Sequence, residues 1–318
     1  MGLPQSFASR RALLGAAVLA PLAGCVQGKA PAANPSVTAA SPSASAADGS
    51  ASAPAATERR SPERLAALER RFDARLGVFA LDTGTGATIV HRADERFAFC
   101  STFKALASAG VLAHNPMSHL DTVVRYTEAD LMKHAPLTSK HVATGMTIRR
   151  LCDAAVRYSD GTAGNLLLRD LGGPARLTAY ARSLGDTVTR MDRTEPAITE
   201  ATPGDPRDTS SPRAFGTTFR EIVLGDALSP HKRAFLRDLL TRNVTGDHRI
   251  RAGVPRGWTV ADKTGTGDYG TLNDIAVLWP PKGAAPLVVA IMTSKSAKDA
   301  TRDEALIAEA AAYVVAAI

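Results

Sequence analysis

Apolar and polar residues alternate in two patterns along the chain, one typical of strands and one typical of helices. The order of these patterns predicts the fold. Short runs rich in β-branched residues predict strands near both ends of the chain, at 77–81, 87–90, 258–265, 274–279 and 287–293. Apolar residues at three- and four-residue spacing predict helices elsewhere, at 62–72, 105–113, 148–158, 165–171, 174–184, 215–224, 231–240 and 303–318. Residues 194–212 have little periodicity and predict a long loop of the kind that usually carries function.

Strands at both ends with helices between them predict an α/β (α+β) fold with one antiparallel sheet of about five strands. We predict that residues 58–98 and 244–318 form an α/β lobe in which helices flank this sheet. Residues 99–243 are predicted to form an inserted, all-helical lobe. A ligand site is expected in the cleft between the two lobes.

The segment 99–104, Phe-Cys-Ser-Thr-Phe-Lys, leads into the most uniformly apolar helix of the chain. A helix that is apolar on every side is a buried one, so Ser101 is expected at its N-terminal end, with Lys104 on the same face three residues later. A hydroxyl beside free N–H groups and a desolvated amine fits a nucleophile. Taken alone, this pair also fits an N-capping serine and a solvated lysine, because such short matches arise by chance.

Residues 1–24 have the features of an export signal. They carry the pair Arg10-Arg11 and an apolar run, 12–23, that is too short to cross a bilayer. The sequence Leu-Ala-Gly-Cys that ends at Cys25 resembles a bacterial lipobox, which predicts lipidation of Cys25 and anchoring to a membrane. A chance cysteine near an ordinary cleavage site is the alternative. We expect export by the twin-arginine route to the periplasmic or cell-surface side.

Residues 25–57 are mainly Ala, Pro and Ser, and this composition predicts a disordered tether because it cannot bury enough apolar surface to offset its ordering entropy. The net charge of +7 is scattered rather than gathered into a stripe, so no nucleic acid is expected as a partner. The seven histidines show no metal-ligand spacing, so we expect no metal, and nothing calls for another cofactor. A monomer is expected.

Cys100 and Cys152 lie in apolar stretches of the chain. In an exported protein they could form a disulfide, but the sequence does not give the distance between them. Buried free thiols are the interpretation that we favour.

Three further motifs follow Ser101 in the chain. These are Ser159-Asp160-Gly161 after a predicted helix, Glu195-Pro196 in the long loop, and Lys263-Thr264-Gly265-Thr266 on a predicted strand. Each alone is ordinary, since Ser-Asp-Gly is typical of turns and the other two fit a surface acid and a strand end. Together, in this order and at these separations, they do not arise by chance.

This set resembles the class A serine β-lactamases, and the resemblance covers the whole predicted fold from about Ser61 to the C-terminus. It implies a serine β-lactamase or penicillin-binding-protein-like fold. It also implies hydrolysis of penicillin- or cephalosporin-type β-lactams, hence antibiotic resistance. A D-alanyl-D-alanine peptidase and a non-hydrolytic penicillin-binding sensor share the Ser-x-x-Lys core and are the alternatives. Glu195 argues against the peptidase, because peptidases of this kind lack the deacylating acid.

The resemblance also implies roles for individual residues. Ser101 attacks the lactam carbonyl, while Lys104 and Ser159 transfer protons. Glu195 activates a bound water for deacylation, and Glu195 and Lys104 are alternative bases for acylation. The backbone N–H groups of Ser101 and Thr266 form the oxyanion hole, and the substrate carboxylate is held by Lys263, Thr264, Thr266 and Arg249. Gly265 of the last motif and His134 at the rim of the cleft complete the substrate-binding set. For Arg249 and His134, plain surface residues are the alternative.

Other matched positions concern the loop that carries Glu195. Arg193 and Asp208 match an ion pair that closes this loop, and Asn165 matches a residue that binds its backbone. Two positions depart from the family pattern. Gly161 stands where the family usually has an Asn that binds the substrate, which predicts a wider cleft. Thr199 stands where an Asn usually helps to orient the hydrolytic water, which predicts altered deacylation.

Overall fold

The structure is a computed structural model that describes residues 58–59 and 62–318. A six-stranded sheet is its central element. The strands in chain order are β1 (Glu58–Arg59), β2 (Arg75–Asp82), β3 (Thr88–His91), β4 (Phe97–Ala98), β5 (Val123–Val124), β6 (Met146–Thr147), β7 (Thr209–Ser210), β8 (Thr259–Thr266), β9 (Leu272–Trp279) and β10 (Leu287–Ser294). The helices are α1 (Pro62–Phe72), α2 (Phe103–His114), α3 (Ile148–Arg157), α4 (Gly161–Leu171), α5 (Pro174–Ser183), α6 (Pro212–Val223), α7 (Pro230–Thr241), α8 (Ile250–Gly253) and α9 (Glu304–Ala317).

The sheet has the strand order β1-β3-β2-β10-β9-β8, so its strands come from both ends of the chain, as predicted. The five longer strands pair antiparallel, and β10 runs between β2 and β9. The sixth strand was not predicted. β1 has two residues and pairs parallel with β3 at the sheet edge, and a segment this short carries no periodicity that a sequence could reveal.

Both faces of the sheet are buried. Val289 and Ile291 of β10 belong to an apolar cluster that also contains residues of α1 and α9, whereas Val288 and Ala290 belong to a second cluster that contains residues of α2 and α6. Successive side chains of a strand point to opposite faces, so a sheet covered on both sides needs apolar residues at consecutive positions. This explains why β10 has an almost unbroken apolar sequence.

Helix α2 lies at the centre of the molecule, and all its side chains from Phe103 to Leu112 are buried, as predicted. Helices α3, α4, α5 and α7 pack around it. Helix α6 differs from the predicted arrangement, because it contacts β2, β9 and β10 although its sequence lies inside the segment 99–243 that was assigned to the helical lobe. The division into two lobes otherwise stays a prediction.

The predicted signal 1–24, the predicted lipidation site Cys25 and the predicted tether 25–57 lie outside the described residues. Within the described part of the chain, no helix combines the length and the apolar character that crossing a bilayer would require.

Candidate active site

Ser101 lies in a 3-10 turn, Cys100–Thr102, that runs directly into α2. The backbone before the turn is held by the side chain of Asn273 on β9, whose Nδ2 donates to the carbonyls of Ala98 and Phe99 at 2.8 and 3.1 Å. The Phe99 ring also stacks on Phe215 of α6 with centroids 6.0 Å apart. These contacts hold the turn that carries Ser101, which is 9% exposed.

Lys104 is fully buried one helical turn after Ser101 and has three close oxygen partners. Its Nζ lies 2.9 Å from Ser101 Oγ, 2.6 Å from the carbonyl oxygen of Ser159 and 2.7 Å from Glu195 Oε1. Burial lowers the pKa of Lys104, while the neighbouring Glu195 opposes this shift. A lysine in these surroundings can exchange a proton with either the hydroxyl or the carboxylate.

Ser159 follows α3 and has a φ of 55°, in the left-handed region that a serine rarely adopts. The adjacent Asp160 supports this conformation, because its buried carboxylate accepts the N–H groups of Leu137, Thr138 and Ala163 at 3.0, 3.0 and 2.9 Å. Ser159 Oγ lies 3.1 Å from Lys263 Nζ and 3.5 Å from Lys104 Nζ. The hydroxyl is therefore placed between two amines.

Glu195 brings its carboxylate into direct contact with the nucleophile, because Ser101 Oγ donates to Glu195 Oε1 at 2.9 Å. Its backbone is held by Asn165 of α4 through two bonds, Nδ2 to the Glu195 carbonyl at 2.9 Å and Glu195 N–H to Oδ1 at 3.0 Å. The peptide bond between Glu195 and Pro196 is cis. The sequence predicted a water between the two side chains, but in this structure they touch directly.

The Glu195 loop is closed by the predicted pair of Arg193 and Asp208. Arg193 Nε donates to Asp208 Oδ2 at 2.6 Å, and Asp208 Oδ1 accepts the backbone N–H groups of Asp192 and Arg193 at 2.8 and 2.9 Å. Asp208 is buried. This one carboxylate therefore fixes both the side chain and the backbone of the residues that lead to Glu195.

The two departures from the family pattern have structural consequences. A Cβ atom at Gly161 would overlap Glu195 Oε2, so a glycine at this position allows the Glu195 carboxylate to lie where it does. The Thr199 hydroxyl donates to the Pro196 carbonyl at 2.7 Å instead of turning towards Glu195. The Thr199 carbonyl accepts the N–H of Asp268 at 2.9 Å, which ties the loop to the end of β8.

Strand β8 forms the opposite wall of the cleft and passes very close to the Ser101 turn. A Cβ at Gly265 would lie 2.5 Å from the Phe99 carbonyl oxygen, so only glycine allows this approach. Lys263 is fully buried, and this burial together with the nearby Lys104 lowers its pKa to about 7. Thr264 Oγ1 lies 2.5 Å from Thr245 Oγ1.

Arg249 reaches the same wall from the residue before α8. Its guanidinium donates to the carbonyls of Gly265 and Asn273 at 2.8 and 2.9 Å, and to Thr266 Oγ1 at 2.8 Å. Its Nε also pairs with Glu304 Oε1 at 3.1 Å. Arg249 is buried, so it is a second cation beside Lys263 and not a surface arginine.

These groups surround a cavity of about 620 Å³, whose wall includes Ser101, Ser159, Glu195, Thr199, Arg249, Thr264, Gly265 and Thr266. His134 is an exposed rim residue, and its Nε2 lies 3.0 Å from the Tyr158 carbonyl oxygen. The sequence did not single out two cations on the wall, Lys133 and Arg302. Arg302 Nε and Nη2 donate to the Gly267 carbonyl at 3.1 and 2.9 Å, and no motif signals a contact between residues so far apart in sequence.

Cys100 and Cys152 are free and buried, as favoured from the sequence. Burial raises the pKa of each thiol to about 12. Within the described residues, no group of three or more His, Cys, Asp or Glu side chains is arranged to hold a metal ion.

A family model described as the β-lactamase enzyme family matches residues 60–318. The chain belongs to the β-lactamase enzyme family. It is 51% identical over 316 residues to a β-lactamase of Mycobacterium tuberculosis strain H37Rv, covering 98% of this chain and 97% of the relative. It is 57% identical over 251 residues to a β-lactamase of Amycolatopsis lactamdurans, covering 79% of this chain and 83% of the relative.

Solved β-lactamase structures match the fold as well. The β-lactamase of Desulfarculus baarsii is 52% identical with a TM-score of 0.78, covering 80% of this chain and 95% of that one. Another match is a variant of the class A β-lactamase of the last common ancestor of Gram-negative bacteria. It is 54% identical with a TM-score of 0.77, covering 80% of this chain and 97% of that one. The family, the fold class and the enzyme class predicted from the sequence are confirmed.

Proposed function

We propose that this β-lactamase hydrolyses penicillin- and cephalosporin-type rings through an ester formed on Ser101, and so confers antibiotic resistance. The observation that carries the proposal is the joint contact of Lys104 Nζ and Glu195 Oε1 with one hydroxyl, at 2.9 Å each. A nucleophilic serine needs an adjacent base, and here it has two candidates that also touch each other.

In the acylation step, Ser101 Oγ attacks the lactam carbonyl carbon and its proton passes to the Lys104–Glu195 pair. Direct transfer to Glu195 and transfer through Lys104 are both compatible with the 2.7 Å separation of these two groups. Ser159 Oγ, hydrogen-bonded to Lys263, then delivers its proton to the ring nitrogen as the C–N bond breaks. Lys104, whose Nζ lies 3.5 Å from Ser159 Oγ, passes the proton taken from Ser101 on to Ser159, so Ser159 regains its hydroxyl and Glu195 is ionised before deacylation. Ring opening leaves a Ser101 ester and a neutral secondary amine.

The developing oxyanion is stabilised by the backbone N–H groups of Ser101 and Thr266. The close approach of β8 to the Ser101 turn at Gly265 supports this assignment, because it brings the two backbones to one point of the cleft. The carboxylate of the substrate is bound by Lys263, Thr264 and Arg249 along the same strand. Two cations beside hydroxyl donors are suited to an anion of this kind.

Deacylation follows from the same contacts. Once Ser101 is esterified it has no proton to donate, so Glu195 Oε1 becomes free to accept one from a water molecule. This water attacks the ester carbonyl, and the Ser101 oxygen leaves with the proton. The direct contact in the resting protein and the water-mediated step in the acyl-enzyme are therefore two stages of one cycle.

Hydrolysis of a chromogenic cephalosporin by the full chain tests this proposal. We expect steady turnover that Ser101→Ala reduces by at least about 10³-fold, the usual effect of losing a nucleophile, and that the exposed control Ser139→Ala leaves unchanged. A burst of one equivalent without steady turnover would favour the penicillin-binding sensor instead. Unchanged turnover in Ser101→Ala would overturn the mechanism.

The export and anchoring predictions belong to this proposal too. The twin-arginine pair and the lipobox-like sequence ending at Cys25 support export and lipid anchoring, which would keep the enzyme near the site where β-lactams act. Labelling cells with a radioactive fatty acid should label the wild-type protein and should not label the Cys25→Ser variant. We also expect the protein to be a monomer. Equal labelling of both forms would exclude Cys25 as the lipid site.

A further inference from the structure

Asp274 is a fully buried carboxyl group on β9, on the side of the sheet opposite to Lys263. It pairs with Thr264 in the strand register and therefore lies on the strand next to the substrate-binding wall. Its Oδ2 accepts the backbone N–H of Ile250 at 3.0 Å. Its Oδ1 is buried and has no hydrogen-bond partner among the described residues. A buried acid with one hydrogen bond is costly to keep, so its position calls for an explanation.

The hydrogen bond to Ile250 fixes the peptide unit that directly follows Arg249. On the other side, the Arg249 N–H donates to the Gly246 carbonyl at 3.0 Å. Arg249 has no helix around it, since α8 begins only at Ile250 and has four residues. The backbone position of Arg249 therefore depends on these two hydrogen bonds, and Asp274 accepts one of them.

The charge of Asp274 is consistent with a supporting role. Burial raises the pKa of Asp274 well above its ordinary value, and the negative charge of the nearby Asp262 adds to this effect. Asp262 itself is paired with Arg251 Nε at 2.7 Å. Other charged groups that act on Asp274 are Arg249 and Lys263, both of which favour its ionised form. In its neutral form Asp274 still accepts the Ile250 N–H, and it does so without cancelling the positive charge that Arg249 offers to a substrate.

We propose that Asp274 is a positioning residue for substrate binding: by accepting the Ile250 N–H it holds Arg249 against Thr266, where Arg249 meets the substrate carboxylate. This inference rests on the proposed role of Arg249. It assigns Asp274 no contact with substrate and no part in proton transfer. It also explains why an acid occupies this position next to the substrate-binding strand, where an apolar side chain would be easier to bury.

The test compares kcat and KM of full-length variants on a chromogenic cephalosporin and on the methyl ester of its ring carboxylate. Asp274→Leu removes the acceptor and fills the space, and it should raise KM for the carboxylate substrate by about three- to tenfold, the effect of one lost hydrogen bond. Its kcat should be unchanged, and the ester should be hydrolysed as by the wild type. Asp274→Asn keeps an acceptor oxygen for Ile250 and should restore the wild-type KM.

Asp186→Leu is the matched control, because Asp186 is another buried aspartate that accepts backbone N–H groups, at Val188 and Thr189, but does not adjoin Arg249. It should lower the melting temperature without raising KM. The double variant Arg249→Ala with Asp274→Leu should have the KM of Arg249→Ala alone. Once the Arg249 side chain is removed, the loss of Asp274 can no longer displace it.

The outcomes separate this inference from the proposed function. If Arg249→Ala leaves KM for the carboxylate substrate unchanged, the assigned role of Arg249 fails and this inference fails with it. If Arg249→Ala raises KM but Asp274→Leu does not, the role of Arg249 stands and only the role of Asp274 is refuted. Additive effects in the double variant, or an equal KM rise on the methyl ester, would also refute it. Should Asp274→Leu not fold, Asp274→Ser is measured in its place.

Discussion

The ion pair between Arg193 and Asp208 allows a quantitative prediction about the loop that carries Glu195. Asp208 is 1% exposed and its side chain accepts three hydrogen bonds, one from the Arg193 guanidinium and two from backbone N–H groups. Removing one partner of a buried pair costs about 3–5 kcal/mol, because the other charge stays buried without compensation. Arg193 is 17% exposed and Asp208 keeps its two backbone bonds, so for Arg193→Ala we expect the lower end, about 3 kcal/mol.

This loss should fall mainly on the loop. For a domain of this size, about 3 kcal/mol corresponds to a decrease of roughly 6–12 °C in melting temperature if the loop unfolds with the rest of the protein. If the loop opens locally, the melting temperature changes less and the substitution mainly lowers kcat. A displacement of Glu195 by about 1 Å from Ser101 is expected to lower kcat by about 10²-fold.

The same loop contains a matched control, Arg207 with Asp205, which form an ion pair of 2.7 Å in which the arginine is 50% exposed. Solvent screens exposed ion pairs, so they contribute little to stability, and Arg207→Ala should leave both melting temperature and kcat close to wild type. The measurements are thermal unfolding and steady-state hydrolysis on all three proteins. If Arg193→Ala and Arg207→Ala are indistinguishable in both, the reasoning about burial is refuted.

Three other predictions follow from single groups. Because burial lowers the pKa of Lys263 to about 7, kcat/KM for a carboxylate substrate should fall as the pH rises through about 7 and the ammonium charge is lost; a flat profile would contradict this. Asp160→Ala should lower the free energy of unfolding by at least about 3 kcal/mol in urea titrations, since it leaves several buried donors, including those of Thr138, without an acceptor; a smaller loss would show that water replaces the carboxylate. Cys100 and Cys152 should not react with a thiol reagent until the protein is unfolded, because burial raises both pKa values to about 12; rapid native labelling of either would disagree with their burial.

Much of the fold could be predicted because local signals and tertiary packing agree. The buried helix α2 and the strands β8, β9 and β10 have compositions that match their surroundings, so periodicity placed them within a few residues. Helix α6 starts earlier than predicted because the Ser211 side chain accepts the Ala214 N–H and caps it. Its packing against the sheet could not be predicted, since an amphipathic pattern shows that one face is buried but not against which partner.

The site shows the same division. Ser101, Lys104, Glu195 and Lys263 were found because their spacing in motifs carries information. Asn273, Asp274 and Arg302 were missed, since their roles depend on contacts between segments that are distant in sequence. The effect of Gly161 could not be foreseen either, because what occupies the space beside a glycine is decided by the position of another loop.

The central claim is that Glu195 returns the acylated Ser101 to its free form. The most direct test is to mix Glu195→Ala with a penicillin and to measure the intact mass, with Glu200→Ala as the control, because Glu200 lies on the same loop but is 53% exposed and pairs with Arg193. We predict that Glu195→Ala accumulates a species heavier by the mass of one penicillin, while the wild type and Glu200→Ala return to their unmodified mass. A Glu195→Ala protein that never gains this mass, or one that gains it and loses it as fast as the wild type, would contradict the account.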